Sequence, residues 1–369
     1  MKDGQSVRNR KKKWKIVLIA VIAAAVCGGV LLAVLSAYSK YQMSKVPELS
    51  FQEALEYTTK DNADAVITVG IIKDGRTSYT VYGENGKELP KELHTYEIGS
   101  LTKTFTAAMV SKAAQEGKID INATIDQYLS LPEGNVYPTV ATLLTHTSGY
   151  KSHYIESPMI SNFFTRKNSF LGVTKTMVVN KASELSVPKE DYSFNYSNFG
   201  YAVLGLILEE VYGDDYTTLA NQFAKELNLS HTQLSTQDGD LGMYWDWDDG
   251  DAYLSAGGLT SNIDDMLTYA QFQLDESGYF ADCHKELSKV SAAPEQYKAM
   301  GINMDAIGMA WIIDSENGVV WHNGGTGNYN SYLGFSVDKN MAVIVLSNLA
   351  PSYRIPATVL GIKLLDELK

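Results

Sequence analysis

The chain has 369 residues, of which 45% are apolar and 20% charged, and its formal net charge is −12. That balance excludes a disordered or collagen-like polymer and leaves enough apolar material for a sizeable core. Residues 1–40 hold eight of the 31 Lys and Arg but only one of the 43 Asp and Glu, so the remainder carries 23 basic and 42 acidic side chains, net −19. Polyanionic nucleic acid is therefore a poor partner.

Residues 1–15 form a basic tail with Arg8, Arg10, Lys11, Lys12, Lys13 and Lys15, and with Trp14 near its end. Ile16 to Ala37 follow as 22 positions without a charge, rich in Ala, Val, Leu and Ile. A helix of that length spans about 33 Å, enough for one bilayer crossing. The basic flank predicts a cytoplasmic N-terminus, an anchor at 16–37 in the lipid bilayer of the cell membrane, and an extracellular remainder. A cleaved leader is the competing reading, because Leu35-Ser36-Ala37 fits a peptidase site. The apolar run is longer than a usual secretory core, which favours the uncleaved anchor. Residues 38–48 read as a stalk. Cys27 and Cys283 are the only cysteines, and with the first in lipid no disulfide is expected in the exported part.

Residues 49–369 read as one domain. A short helix is expected at Phe51–Thr58. Strands are expected at Val66–Ile72 and Thr77–Tyr82, and Lys73-Asp74-Gly75-Arg76 between them carries the Asp-Gly signal of a hairpin. Three stretches have helical apolar stripes: Thr102–Glu116 closing at Gly117, Asn198–Val211 closing at Gly213, and Ser261–Gln273. In the last, Ser261 reads as the cap, and Asp264 and Asp265 complement the helix dipole. Strands return at Met309–Ile313, Val319–His322, Ser331–Val337 and Met341–Ser347, and a final helix runs from about Ile355 to Leu368. Two early strands cannot form a stable sheet alone, so they are expected to join the four late ones in one antiparallel sheet covered by the first and last helices. The result is an α+β fold with a sheet lobe at 49–104 and 301–369. A mainly helical lobe is inserted at 105–300, and the cleft between the lobes is the natural ligand site.

Ser100 and Lys103 stand three residues apart directly ahead of a helical pattern. The spacing places a hydroxyl and an amine on one face, the simplest route to an activated serine, and a helix N-terminus directs partial positive charge toward an oxyanion. Lys103 precedes Phe105, Ala107, Ala108 and Met109, so its amine is expected to be buried and its charged form disfavoured. Alone, the pair is also explained by an ordinary N-cap serine and a surface lysine.

Five segments occur together: Gly99-Ser100-Leu101-Thr102-Lys103-Thr104, Leu143-Leu144-Thr145-His146-Thr147-Ser148-Gly149, Tyr196-Ser197-Asn198, Ala256-Gly257-Gly258-Leu259 and His322-Asn323-Gly324-Gly325-Thr326-Gly327. Their order resembles the serine beta-lactamase and penicillin-binding superfamily, in its branch of class C beta-lactamases, D-alanyl-D-alanine carboxypeptidases and related esterases. The resemblance covers about residues 50–350 and implies a beta-lactamase/transpeptidase-like fold and acyl transfer through a serine ester. It implies Ser100 as nucleophile and Lys103 as its base. Tyr196 would share proton traffic with Lys103 and protonate the leaving group, and Asn198 would hold Lys103 and the substrate amide. His322 would line the cleft, bond the tyrosine or substrate and alter the local charge. Gly324 would allow close backbone approach, and the N–H of Gly325 would pair with that of Ser100 in an oxyanion hole. Asn328 stands where relatives often carry another glycine, which would narrow the cleft rim.

His146 and Ser148 are read as a structural brace, and no Gly-x-Ser-x-Gly elbow is present. The six histidines show no metal-binding spacing, so neither metal nor cofactor is expected. Tyr244–Asp251 sets Trp245 and Trp247 among four aspartates. These rings would bind substrate by stacking on a sugar, and the acids would attract a primary amine. An acidic surface loop explains the segment equally well, and a calcium loop lacks the EF-hand spacing. The expected protein is thus a membrane-anchored extracellular serine acyl hydrolase acting on a cell-wall peptide ending in D-alanyl-D-alanine or on a D-alanylated polymer. An acidic cleft would favour a D-alanyl ester with its free ammonium. Beta-lactamase activity is the alternative within enzymes, and a catalytically silent cell-envelope binding or sensing protein the alternative outside them. The oligomeric state is left open.

Overall fold

Asp74 and Gly75 have φ of +51° and +72°, the two left-handed positions of a type I′ turn. They fold strand β1 (Ile67–Lys73) onto β2 (Arg76–Tyr82) in the computed structural model of the chain, which describes residues 44–188 and 192–369. The basic tail and apolar anchor expected at 1–37 lie outside the described residues, as does most of the stalk. No helix among the described residues is long and apolar enough to cross a membrane. Residues up to Leu49 form one unit, whose described part holds a 3₁₀ turn at Val46–Glu48; Ser50–Lys369 form a second.

The other strands are β3 (Tyr96–Glu97), β4 (Gln233–Leu234), β5 (Leu259–Ser261), β6 (Ser288–Lys289), β7 (Ala306–Ile307), β8 (Ile312–Asp314), β9 (Val319–Gly325), β10 (Asn330–Ser336) and β11 (Met341–Ser347). Eight of them make a sheet in the order β2-β1-β11-β10-β9-β8-β7-β6, with antiparallel pairing throughout. The early hairpin therefore joins the late strands as expected. A smaller sheet has the order β3-β5-β4.

All seven residues of β10 and of β11 are buried, which requires a cover on both faces of the sheet. The final helix, Ala357–Leu368, packs on β10 and β11, and Phe51–Thr59, held by a Ser50–Glu53 capping box, packs against that helix. The second cover is Ile263–Leu274, which contacts β1, β10 and β11. This corrects the expectation that the first and last helices alone cover the sheet. The cap of Ile263–Leu274 is also Asn262, whose side chain accepts from the Asp265 amide, because Ser261 is occupied as the last residue of β5.

The expected strand Met309–Ile313 is instead a turn plus the start of β8. Ala310 has φ +68°, the Gly308 amide donates to the Trp311 carbonyl (2.8 Å), and Ala306 pairs with Ile313 across the hairpin. Apolar composition marked burial there, since Met309, Ala310 and Trp311 are all buried, but not backbone shape.

Away from the sheet, Asn198–Tyr212 is apolar on every side from Phe199 to Leu208, all buried, the pattern of a helix enclosed by neighbours. Around it pack Thr102–Gln115, Val140–Leu144, Lys175–Glu184, Tyr216–Glu226 and the short Leu254–Gly257.

Candidate active site

β3 runs into a one-turn 3₁₀ segment, Gly99–Leu101, that leads into the helix Thr102–Gln115. Ser100 lies in this turn, half-buried, and the Ncap positions of both segments are filled by Ile98 and Leu101, without side-chain caps. The ordinary N-cap reading of Ser100 is thereby removed. Gly99 has φ +50°, and a Cβ on it would lie 2.5 Å from the Gly325 nitrogen; a Cβ on Gly324 would lie 1.9 Å from the Ile98 carbonyl oxygen. Only glycine fits at either position. The Ser331 hydroxyl adds a bond to the Ile98 carbonyl (2.7 Å). The end of β9 is thus pressed against the Gly99–Leu101 turn, with the exposed Gly325 backbone against Gly99, the neighbour of Ser100.

Lys103 is fully buried. Its Nζ donates to Asn198 Oδ1 (2.7 Å) and to the Ala256 carbonyl (2.6 Å), and lies 3.2 Å from Ser100 Oγ. Burial pushes its pKa well below the ordinary lysine value. A neutral amine has two hydrogens and one lone pair. The two hydrogens are claimed by Asn198 and Ala256, which accept only, so the lone pair is left for the Ser100 hydroxyl. The Ala256-Gly257-Gly258-Leu259 segment is locked to the helix by Thr102 Oγ1, which accepts from the Leu259 amide (3.1 Å), and by Thr106 Oγ1, which donates to the Ser255 carbonyl (2.7 Å).

Tyr196 stands two residues ahead of Asn198, the first residue of Asn198–Tyr212. Burial raises the Tyr196 pKa above the ordinary tyrosine value, and the nearby Ser100 hydroxyl offsets only part of that. Lys103 Nζ lies 4.9 Å from its ring centroid. Burial thus disfavours the charged form of each group, the ammonium of Lys103 and the phenolate of Tyr196.

His146 fixes the tyrosine from both sides. Its carbonyl accepts from the Asn195 amide (2.8 Å), its Nδ1 accepts from the Ser197 amide (3.0 Å), and its ring lies 4.4 Å from that of Tyr196. Because Nδ1 accepts, the proton of the neutral ring sits on Nε2, which is buried without a hydrogen-bond partner. Burial, reinforced by repulsion from Lys103 and His322, pushes the His146 pKa well below the ordinary histidine value. The sequence had assigned His146 to bracing and did not tie it to Tyr196.

His322, on β9, lies with its ring centroid 6.4 Å from that of Tyr196, and its Nδ1 donates to the Asn323 carbonyl (2.6 Å). Burial, then the Lys103 charge, pushes its pKa down to about 3. The ring is neutral over the working range of most enzymes, and its Nε2 is left as an acceptor.

Trp245 and Trp247 meet edge to face, 6.1 Å between centroids. With Asp246, Asp248 and Asp249 they line a cavity of about 370 Å³ that none of Ser100, Lys103 and Tyr196 borders. Trp245 reaches the site indirectly: its indole nitrogen lies 2.8 Å from where a Cβ on Gly327 would stand. Asp251 is buried and accepts from the amides of Gly172 (2.7 Å) and Asp248 (2.9 Å), so it shapes the loop. Asn328 Nδ2 donates to the Met243 carbonyl (2.9 Å) and clasps the rim there.

Sequence reasoning missed Glu97. Its buried carboxylate accepts from the Trp245 amide (2.6 Å), Thr326 Oγ1 (2.5 Å) and Ser235 Oγ (3.3 Å). Burial raises its pKa, against these bonds. A carboxylate next to a nucleophile motif was the available signal; its partners are too distant in the chain to be read.

A profile of the beta-lactamase family matches residues 57–361. Protein flp of Staphylococcus aureus (strain N315) is 26% identical over 286 residues, 70% of this chain and 53% of that protein, so the chain spans about half the length of this curated relative. The octameric penicillin-binding protein homologue from Pyrococcus abyssi superposes with a TM-score of 0.66 at 21% identity, over 91% of this chain and 77% of that one. The beta-lactamase/D-alanine carboxypeptidase from Yersinia pestis, complexed with citrate, gives 0.68 at 19% identity, over 89% and 99%. At these identities the two structures speak for the fold.

Proposed function

The chain belongs to the beta-lactamase family, whose members are generally serine hydrolases, and we propose that it is a membrane-anchored extracellular serine acyl hydrolase. In this reading it works through an acyl-enzyme on D-alanyl cell-wall substrates, as a D-alanyl-D-alanine carboxypeptidase or a D-alanyl esterase. One observation carries the chemistry: the Lys103 amine is buried, its two hydrogens are committed to Asn198 and Ala256, and its remaining contact is Ser100 Oγ.

Ser100 Oγ attacks the substrate carbonyl carbon as its proton passes to Lys103 Nζ. The oxyanion is held by the amides of Ser100 and Gly325. Tyr196 gives its phenolic proton to the leaving nitrogen or oxygen as that bond breaks, and the ammonium of Lys103 restores it. Water then attacks the ester and loses a proton to the same amine, which passes it to Ser100 Oγ as the acid leaves. The extracellular placement is supported by the uncharged run at 16–37 beside its basic flank, and the D-alanyl substrate by that placement and by the name of the Yersinia pestis neighbour. Any ammonium preference belongs to the exposed Asp246, Asp248 and Asp249, since Asp251 is committed within the loop.

The test is release of D-alanine, measured by mass spectrometry, from a stem peptide ending in D-alanyl-D-alanine and from D-alanylated teichoic acid. Full-length protein in nanodiscs is expected to release it from one of them, and Ser100→Ala from neither. Hydrolysis of a penicillin with no D-alanine released would replace the reading by a beta-lactamase. Failure of every substrate and every serine-directed probe would leave a binding protein.

A further inference from the structure

The helix Ser157–Thr165 buries only Met159 and Asn162, and Asn162 ties it to the domain by donating from Nδ2 to the Leu171 carbonyl (2.8 Å). Its other large apolar side chains, Ile160, Phe163 and Phe164, stand 53%, 77% and 78% exposed, and Ile155 just ahead of it 75%. Positions 160, 163 and 164 are spaced i, i+3, i+4, so the three share one helix face. Phe163 and Phe164 meet edge to face, 5.5 Å between centroids. Large apolar side chains clustered in water mark an interaction surface. The rim of this one is basic: residues 151–170 hold Lys151, Arg166 and Lys167, all exposed, against Glu156 alone. Residues 41–369 as a whole carry 23 basic and 42 acidic side chains, so the sign of the charge reverses locally.

We propose that this face lies on a bilayer. The two rings and the isoleucines enter the boundary between headgroups and acyl chains, and Lys151, Arg166 and Lys167 meet anionic phosphates. The catalytic domain then rests on the membrane instead of standing off it on the stalk, which confines its reach to material close to the lipid surface. This rests on the anchored reading above and adds a second membrane contact to it. Two features of the chain favour a bilayer over a second copy or a soluble partner. Residues 38–48, between the uncharged run at 16–37 and the domain, span at most about 40 Å, so lipid is present at high effective concentration. The basic rim also complements anionic lipid, whereas it repels the same rim on another copy.

The test uses full-length protein in nanodiscs of equal parts phosphatidylglycerol and phosphatidylcholine, with bimane on one cysteine at a time. The labelled positions are Cys27, Ile155→Cys and, in the turn between β10 and β11, the exposed Lys339→Cys; Cys27→Ala accompanies the last two, and Cys283 is buried. Quenching by doxyl groups on the acyl chains reports lipid contact, and quenching by acrylamide reports water. At 155 doxyl quenching with shielding from acrylamide is expected, and at 339 the reverse. The triple variant Ile160→Ser, Phe163→Ser, Phe164→Ser, whose substitutions lie at exposed positions, is expected to lose the doxyl quenching at 155. Acrylamide quenching at 155 equal to that at 339, without doxyl quenching, overturns the proposal, as does doxyl quenching that persists in the triple variant. Shielding from acrylamide without doxyl quenching also overturns it and assigns the face to a protein contact. Doxyl quenching at Cys27 checks the anchor separately. Its absence means that the anchored reading fails, and sedimentation of the protein with vesicles of the same lipids then decides the surface: sedimentation abolished by the triple substitution retains it, and none, or sedimentation that the substitution leaves unchanged, removes it.

Discussion

Glu97 lies three residues before Ser100 and joins three segments distant in sequence: its carboxylate takes the Trp245 amide, the Thr326 hydroxyl and the Ser235 hydroxyl. Glu97→Leu removes the acceptor from a fixed backbone donor, which costs about 1–3 kcal/mol for the orphaned amide. The urea midpoint should fall accordingly. Glu97→Gln keeps one oxygen for Trp245 and offers an amide to the Thr326 hydroxyl, which rotates to accept, so its loss should be smaller; equal midpoints for wild type and Glu97→Leu would contradict the assignment. At this scale the sequence singled out Ser100, Lys103, Tyr196 and Asn198 because they sit in short motifs, and in the fold Lys103 Nζ reaches both Ser100 Oγ and Asn198 Oδ1. It could not show Glu97 or the Ala256 carbonyl, whose partners meet only in the folded chain. Nor could it show that His322 is neutral, since that depends on burial.

The elements explain why those side chains meet. The end of β9 approaches the Gly99–Leu101 turn closely enough that a Cβ on Gly324 would overlap the Ile98 carbonyl. Gly324→Ala should therefore push β9 away from Ser100. A loss of about 1–3 kcal/mol is expected from overpacking, together with loss of Ser100 acylation by a fluorophosphonate. Acylation at the wild-type rate would show that the approach is dispensable. Element boundaries were readable where local chemistry and tertiary context agree. Met341–Ser347 is a buried strand with no competing signal, and the Asp74-Gly75 turn dictates its own hairpin. They were misread where context wins: Ser261 gives up capping to end β5, and Ala310 takes a left-handed turn inside an apolar run.

For the molecule as a whole, two buried histidines and one partly buried one govern the response to acid. His146 and His322 lie at the site, and His284, whose Nε2 bonds Gln273 Oε1 (2.7 Å), is partly buried, its pKa pushed down to about 4 by desolvation. All three have folded values below that of the unfolded chain, about 6.5. Below that pH the unfolded state binds more protons, so stability is full above it and is lost as pH falls toward the folded values. At about pH 5 His284 and His322 each withdraw about 2 kcal/mol, and His146 acts in the same direction. Glu97 and Asp251, with raised folded values, act in the opposite sense once pH falls through their own range. The urea midpoint should drop between about pH 7 and about pH 5, and His284→Gln should make that drop smaller. A midpoint that does not move would mean that these rings are protonated in the folded protein.

The central claim, that the buried amine of Lys103 takes the proton of Ser100, is tested most directly by the rate at which a fluorophosphonate modifies the protein, with the labelled residue located by peptide mapping. The account predicts one label, on Ser100, forming about 100-fold or more slower in Lys103→Met at neutral pH. A label on any other residue, or the same rate without the amine, would contradict it.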